Sequence, residues 1–573
     1  MNAKRLLCIL ALVSSAFGPL RAQNPDSQRL SRLFFQQADS RWTRNVCGMM
    51  PDRVMPICGL LMSDSMKVKY RESREYTHLT SSASLYSSFE HGDFRPGHAA
   101  SSLWKTGAEA RTDAIYNNWK ATYMTGRFSF EEKHGEDMRM SMFINPGYYP
   151  IDVIEFTPGD KILQTYRFSG GIARELWHPA WCIGGKIDFS SQNYSKRKDI
   201  RHTNYALDLT VVPSILYRDY TYRFGLSGIF RKTAESIEAE QVGAATADTY
   251  YAFFDKGMRY GTYQAWDGSG IHLAEAGVNR LPVREFSYGA AIQFGNGYIY
   301  ADAEYLRTDG LVGEKGYDWY RFPGHKLTAN ASWRHLWKQI ITYFSFHADW
   351  RGQRLDEAAW DKVTDGGITL PEIYGYNTVS RRRQTNLSVD YQTDIFFHTV
   401  RSFKLGYSAT IWDEHASPHY PYTDAWHIWM SRLNANVVTG LPFGGIAQRF
   451  TLALGARYFW ANDRERGLEP ADPTDKPWGD GANTGDSTSS SHGLSVGSLL
   501  PASEPFRLDF EWVRRHEYLT ASGMGLNGAL TYRIKSVKGL SLTLDGSWTH
   551  AFEITLLKGK NRWTSSLRLG YSF

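Results

Sequence analysis

Beyond Phe17 the chain has no apolar run of the length a membrane helix requires, about 20 residues, which excludes a helical transporter or receptor. Cysteine is almost missing: 4 residues in 573 cannot frame a disulfide-built domain. Charge is nearly balanced at +6, so the basic footprint that nucleic-acid binding needs is lacking. A mean hydropathy of −0.43 would suit a soluble protein. It also suits a barrel whose lipid-facing residues alternate with polar ones and so vanish from a running average. Two abundances favour the barrel. Aromatic residues make up 14% of the chain, and there are 51 glycines, above the usual share of about 7%. Aromatic girdles use the first, and a crowded lumen the second.

The beginning of the chain reads as an export signal. Lys4 and Arg5 precede an apolar stretch from Leu6 to Phe17, followed by Gly18, Pro19 and Ala22, the order of a cleavable secretory leader. Residues 1–22 are expected to be removed, leaving Gln23 first. Cys8 follows the basic residues too closely to serve as a lipoprotein anchor.

At the other end, Trp563, Ser565, Leu567, Leu569, Tyr571 and Phe573 share one face of a two-residue alternation, with Thr564, Ser566, Arg568, Gly570 and Ser572 on the other. This terminal strand, closed by Tyr571 and Phe573, resembles the assembly signal of bacterial outer-membrane β-barrels. The alternation recurs along the chain. Tyr205, Leu207, Leu209 and Val211 oppose Asn204, Asp208 and Thr210; Leu327, Ala329, Ala331 and Trp333 oppose Thr328, Asn330, Ser332 and Arg334; Leu387, Val389 and Tyr391 oppose Asn386, Ser388, Asp390 and Gln392. Charged and amide side chains repeated on the second face fit a wet lumen rather than a dry core.

Connection lengths agree. Short joints at 536–539, 501–505, 336–339 and Asn296-Gly297 alternate with long polar stretches at 242–280, 307–322, 352–383, 412–424 and 462–489, the rhythm of short turns and long loops in such barrels. The predicted fold is all-β, a single large antiparallel transmembrane β-barrel over residues 66–573 with about 20–22 strands. In signal, terminal strand and loop rhythm the chain resembles the uncharacterised outer-membrane β-barrel families of Gram-negative bacteria that are described only as domains of unknown function.

Residues 23–65 differ from the rest. Leu30, Leu33, Phe34, Ala38 and Trp42 recur at helical spacing opposite Arg29, Arg32, Gln36, Gln37 and Arg41, so 26–44 reads as an amphipathic helix. Cys47 and Cys58 flank a turn-rich stretch of methionines and prolines. In an exported chain they are a candidate disulfide, with a soft metal site as the alternative. Cys182 reads as a small buried residue. The segment has two readings, a plug inside the lumen or a periplasmic cap over its rim. It is too small for the globular plug of energy-coupled receptors and resembles the short N-terminal hatch of long-chain fatty-acid channels.

Catalytic patterns occur and fail on context. Gly493, Ser495 and Gly497 match a nucleophile elbow, which needs a strand-to-helix turn, but lie where a strand is expected. Gly523, Gly525 and Gly528 match a dinucleotide fingerprint, but Leu526, Leu530, Tyr532 and Ile534 continue as a strand. His516 and Glu517 lack the second histidine of a zinc helix. No catalytic residue, metal or cofactor is assigned. Among the loops, 462–489 is acidic and suits solvation more than Ca²⁺. Tyr250, Tyr251, Phe253, Phe254, Tyr260, Tyr263 and Trp266, with His415, His419, Tyr420, Tyr422, Trp426 and His427, suit a packed lid more than a ligand face. Arg381, Arg382 and Arg383 suit lipopolysaccharide phosphate or a charged rim.

The expected function is a channel or gated, porin-like transporter in the bacterial outer membrane for a hydrophilic or amphipathic solute. Its expected partners are outer-membrane lipid and lipopolysaccharide, the barrel assembly machinery, and a surface lipoprotein or other outer-membrane protein, but not nucleic acid. A docking barrel presenting loops to a partner or glycan fits the same residues. A barrel hydrolase would have to rely on Ser495.

Overall fold

A strand in hydrocarbon must bond its backbone to a neighbour on each side, and only a closed ring provides that for every strand. A computed structural model of the chain has this ring. It describes residues 42, 45–49 and 76–572 apart from 119, 179, 199, 220–221, 241–249, 258–260, 267–279, 297, 315–316, 338–339, 366–367, 397–399, 417–423, 441–449, 467–507, 535–536 and 538. The strands are β1 (Tyr76–Gly92), β2 (Ser102–Asn118), β3 (Lys120–Ser141), β4 (Asp152–Glu175), β5 (Trp181–Lys196), β6 (Arg201–Arg218), β7 (Arg223–Glu240), β8 (Tyr250–Asp255), β9 (Gly261–Trp266), β10 (Arg280–Gly295) and β11 (Ile299–Glu314). After these come β12 (Tyr317–Arg321), β13 (Gly324–Trp337), β14 (Ile340–Asp365), β15 (Ile368–Phe396), β16 (Val400–Ala416), β17 (Asp424–Gly440), β18 (Phe450–Arg466), β19 (Gly523–Arg533), β20 (Leu540–Ala551) and β21 (Asn561–Ser572). One helix, α1 (Leu508–Thr520), precedes β19.

All 21 strands belong to one sheet, and 18 of them form the closed antiparallel wall. Neighbours in sequence are neighbours in the wall, with β7 passing directly to β10 and β11 to β13. The ring closes where β1 pairs with β21, from Ser82 opposite Ser572 to Gly92 opposite Arg562. Three short strands stand off the wall. The β8–β9 hairpin lies along the start of β4, and β12 bridges β11 and β14.

The wall thus holds 18 strands where sequence spacing suggested 20 to 22, for two reasons. First, β18 pairs directly with β19, so the strand and short joint read near 492–505 have no place between them in the wall; those residues lie outside the described set. Second, the long stretches 242–280 and 307–322, read as loops, do contain the short β8, β9 and β12, but these add nothing to the wall. A further difference concerns 352–383. This stretch is not a loop: β14 and β15 run on as a paired hairpin to Asp365 and Ile368, with register shifts at Leu355/Asp356 and Ala359/Trp360.

The two faces of the wall differ in chemistry. On β6, Tyr205, Leu207, Val211, Ile215 and Tyr217 are 36–54% exposed, whereas Asn204, Val212, Ser214 and Leu216 between them are buried. Trp563, Leu567 and Leu569 continue this outer skin on β21, and an apolar surface encircling the whole ring belongs against lipid. Inside, polar side chains bond across neighbouring strands. Thr328 donates to Asp349 (2.8 Å), Asn330 to Asp302 (2.8 Å) and Thr410 to Asn386 (2.9 Å). At the joint after β10, Asn296 Oδ1 accepts the backbone N–H groups of Tyr298 (2.8 Å) and Ile299 (2.6 Å), the local bonding that makes asparagine a turn residue.

Candidate functional site: a lumen with an inner seat and an outer lid

At the short-turn end, the chain before the barrel lies against the inner wall. Val46–Met49 forms one 3-10 turn, and Trp42, Val46 and Cys47 share a buried cluster with Tyr123, Ala173, Cys182, Leu216 and Tyr300. Asn45 Nδ2 donates to Ile215 O at 3.1 Å and to Gln293 Oε1 at 3.4 Å, and Arg223 Nη1 donates to Gly48 O at 2.9 Å. Glycines of four different strands make the room. A Cβ on Gly171 or Gly184 would come within 3.1 or 2.8 Å of Val46, one on Gly225 within 2.6 Å of Asn45, and one on Gly295 within 3.0 Å of Trp42. None of these glycines has a positive φ, so they serve space rather than backbone conformation. Of the predicted helix 26–44 only Trp42 is described, and it is irregular. Cys58 lies outside the described residues, so the Cys47–Cys58 pairing does too.

At the long-loop end, the β3–β4 connection crosses the lumen. Near its base, Asn204 Nδ2 donates to Met142 O (2.8 Å), and Ile144 N donates to Glu235 (2.9 Å). Its tip reaches β10, β14 and β15 on the far side of the ring. Tyr148 donates to Glu285 (2.7 Å), its carbonyl accepts from Arg382 Nη2 (3.0 Å), and its ring meets the guanidinium of Arg351 at 4.2 Å and that of Arg231 at 5.8 Å. Each arginine also has an anchor: Arg231 on Asp208 (2.7 Å), Arg351 on Glu285 (3.3 Å) and Arg382 on Gln353 (2.9 Å). A phenol held between guanidinium groups gains cation–π attraction, while the paired charges leave a polar, hydrogen-bonded lining that a hydrated solute can meet.

Above this loop the lid is aromatic. Phe254 packs with Phe143, Tyr149, Trp319, Tyr320 and Phe322, and Phe253 packs with Trp426 and Ile428. Helix α1 completes it. His516 Nε2 lies 2.7 Å from Asp463 Oδ2, Glu517 accepts the backbone N–H groups of Thr555 (2.6 Å), Leu556 (3.0 Å) and Leu557 (2.8 Å), and Arg515 lies 5.9 Å from the rings of both Trp412 and Trp426. His516 therefore ties the helix to β18 and Glu517 holds a loop, and no cluster of metal-ligating side chains occurs among the described residues.

Asp255, at the end of β8, is buried beside Glu414 and Asp152, with Gly257 N–H donating to it at 2.9 Å and Arg515 nearby. Burial first, then Glu414, pushes its carboxyl up to about 8, against an ordinary value near about 3.9. A carboxyl raised in the packed state favours packing below its ordinary value, and this contribution is lost as pH rises through the raised one. The lid is therefore expected to loosen between about pH 4 and about 8. Spin labels on the β8–β9 and β14–β15 hairpins check this: their distance distribution should broaden across that window in the native chain. In Asp255→Asn it should broaden less and over a lower range, because burial also raises Asp152, opposite Asp255, to about 6.

The other sequence candidates fall as follows. Arg381 and Arg383 are exposed while Arg382 turns inward, so the triplet splits between rim and lumen. Gly523, Gly525 and Gly528 lie in β19, as the strand reading expected. Tyr571 pairs with Ala83 and Leu540 across the closing seam. Phe573, Ser495, Tyr260, His419, Tyr420, Tyr422 and the acidic residues from Glu469 to Asp486 lie outside the described set. Sequence reasoning missed the crossing loop and α1. Asn145-Pro146-Gly147 marked a turn for the first, and Leu508, Trp512 and Leu519 at helical spacing marked the second.

The profile of a family of unknown function, DUF6850, matches residues 72–573. No curated protein matches the chain. Among solved structures it is similar to OprB of Pseudomonas putida, at 9% identity over 89% of this chain and 96% of that one, with a TM-score of 0.31. It is also similar to OpdK of Pseudomonas aeruginosa (8% identity, 87% and 99%, TM-score 0.30) and OccAB1 of Acinetobacter baumannii (10%, 86% and 97%, TM-score 0.31).

Proposed function

The chain belongs to this family of unknown function, and from that premise we propose that it is a gated channel of a bacterial outer membrane, passing a hydrophilic or amphipathic solute. What supports the reading most is the two-faced ring, apolar where it meets lipid and lined by bonded polar residues between the inner seat and the crossing loop. The short-turn end is read as periplasmic and the lidded end as external. Residues 23–65 then act as a plug rather than a cap, since Trp42 and residues 45–48 lie against the inner face of the wall. Exposed Arg381 and Arg383 suit the phosphates of lipopolysaccharide.

Transport is testable in vesicles. The native chain is expected to pass a small hydrophilic solute slowly, and the chain lacking residues 23–62 to pass it faster. No flux from either form would overturn the channel in favour of a docking barrel. One feature favours that second reading: the β14–β15 hairpin exposes Trp360, Val363 and Tyr374. Copurification of a stoichiometric surface partner, together with absent flux, would establish it.

A further inference from the structure

We propose that Cys47 and Cys182 form a disulfide that ties the inner seat to wall strand β5. With residues 1–22 removed, the chain keeps three cysteines, Cys47, Cys58 and Cys182, so at most one pair can form within it. Cys47 and Cys182 are both fully buried and belong to the same cluster, one from the seat and one from the inward face of β5. Cys47 already lies along that strand. Its Sγ is 2.9 Å from where a Cβ of Gly184 would stand and 3.8 Å from Ser214 O, and Gly184 and Ser214 are register partners. Cys182 is the next inward residue of β5, about 7 Å further along the strand. In the structure both are thiols; pairing requires a rotation of the Cys47 side chain and a slide of the turn Val46–Met49 along β5.

The chemistry suits an exported chain. A disulfide-bearing oxidoreductase of the periplasm is the co-reactant. The Cys47 thiolate attacks one of its sulfurs and releases the other as a thiolate, and the Cys182 thiolate then displaces the enzyme from the mixed disulfide. The two protein thiols lose two protons and two electrons, and the enzyme's disulfide becomes a dithiol. Burial, with Cys182 as the next influence, pushes the Cys47 thiol up, so the exchange belongs to the stage when the seat enters the lumen. The bond does not depend on conduction, and its test involves no flux.

The test uses the full mature chain, purified from membranes without reductant, alkylated with N-ethylmaleimide in denaturant and digested unreduced. Mass spectrometry is expected to find one peptide pair joined through Cys47 and Cys182, lost on reduction, with Cys58 alkylated. A Cys47–Cys58 pair, a Cys58–Cys182 pair, or three alkylated cysteines would each overturn the proposal. The Cys58→Ser chain should keep its mobility difference between reduced and unreduced gels, and Cys182→Ser should lose it. Loss of the difference in Cys58→Ser would also overturn it.

Discussion

With reductant present, so that the seat is held by packing alone, Gly225→Leu should raise solute flux through the barrel toward that of the chain lacking residues 23–62. The added side chain would occupy the space of Asn45 Nδ2, Gln293 Oε1 and the Trp42 ring, which stand 2.6, 2.7 and 3.1 Å from its first carbon. All three are side-chain atoms, and two of them belong to the seat, so the wall can keep its backbone while the seat cannot keep its place. Overpacking of this kind costs about 1–3 kcal/mol, or roughly 5- to 150-fold in the ratio of seated to unseated segment. Gly185→Leu is the control, because a Cβ there meets nothing within 4 Å. Its flux should match the native chain. A Gly225→Leu barrel that stays closed, while deletion of 23–62 opens it, would show that the gate lies elsewhere in the segment than at Trp42 and Asn45.

Val211→Arg should be among the most destabilising single changes in the wall. Val211 lies midway between Tyr205 and Tyr217 on the lipid face of β6, where an arginine costs about 2–4 kcal/mol at the midplane of the bilayer. Its neighbour Thr210 faces the wet side, and Thr210→Gln should stay within about 0.5 kcal/mol. Reversible urea unfolding in lipid vesicles measures both. Equal costs for the two changes would mean that the outer surface is not in contact with hydrocarbon, and the membrane reading would fall with it.

The barrel was legible because lipid requires an apolar residue at every second position. Tyr205, Leu207 and Val211 satisfy that requirement, and the polar partners Asn330 and Asn386 mark the other face. Where the requirement ends, so does legibility. Above the lipid the outward face of β14 and β15 no longer has to be apolar, so Arg354, Asp356, Glu357, Asp361 and Lys362 read as a loop although the ladder continues and its inner face packs in the lid. Helix α1 was hidden for a related reason: its few apolar residues are interleaved with Asp509, Glu511, Arg514, Arg515, His516 and Glu517. At the inner seat, Trp42 and Cys47 stood out in sequence, but the space that receives them comes from glycines on β4, β5, β7 and β10, which only the closed ring brings together. The crossing loop was the least legible. Asn145-Pro146-Gly147 announces a turn, but the inward bend depends on Arg231, Arg351 and Arg382 from distant strands.

The seam between β1 and β21 has a consequence for biogenesis. Strand β1 pairs with β2 on one side, and on the other side its residues Ser82 to Gly92 find their partners only in Arg562 to Ser572, which a ribosome delivers after every other strand of the wall. An interrupted polypeptide therefore has two raw edges and no way to seal them in hydrocarbon. The β20–β21 hairpin is therefore the piece that seals the ring: until it is made, β1 keeps an unpaired edge that hydrocarbon does not tolerate.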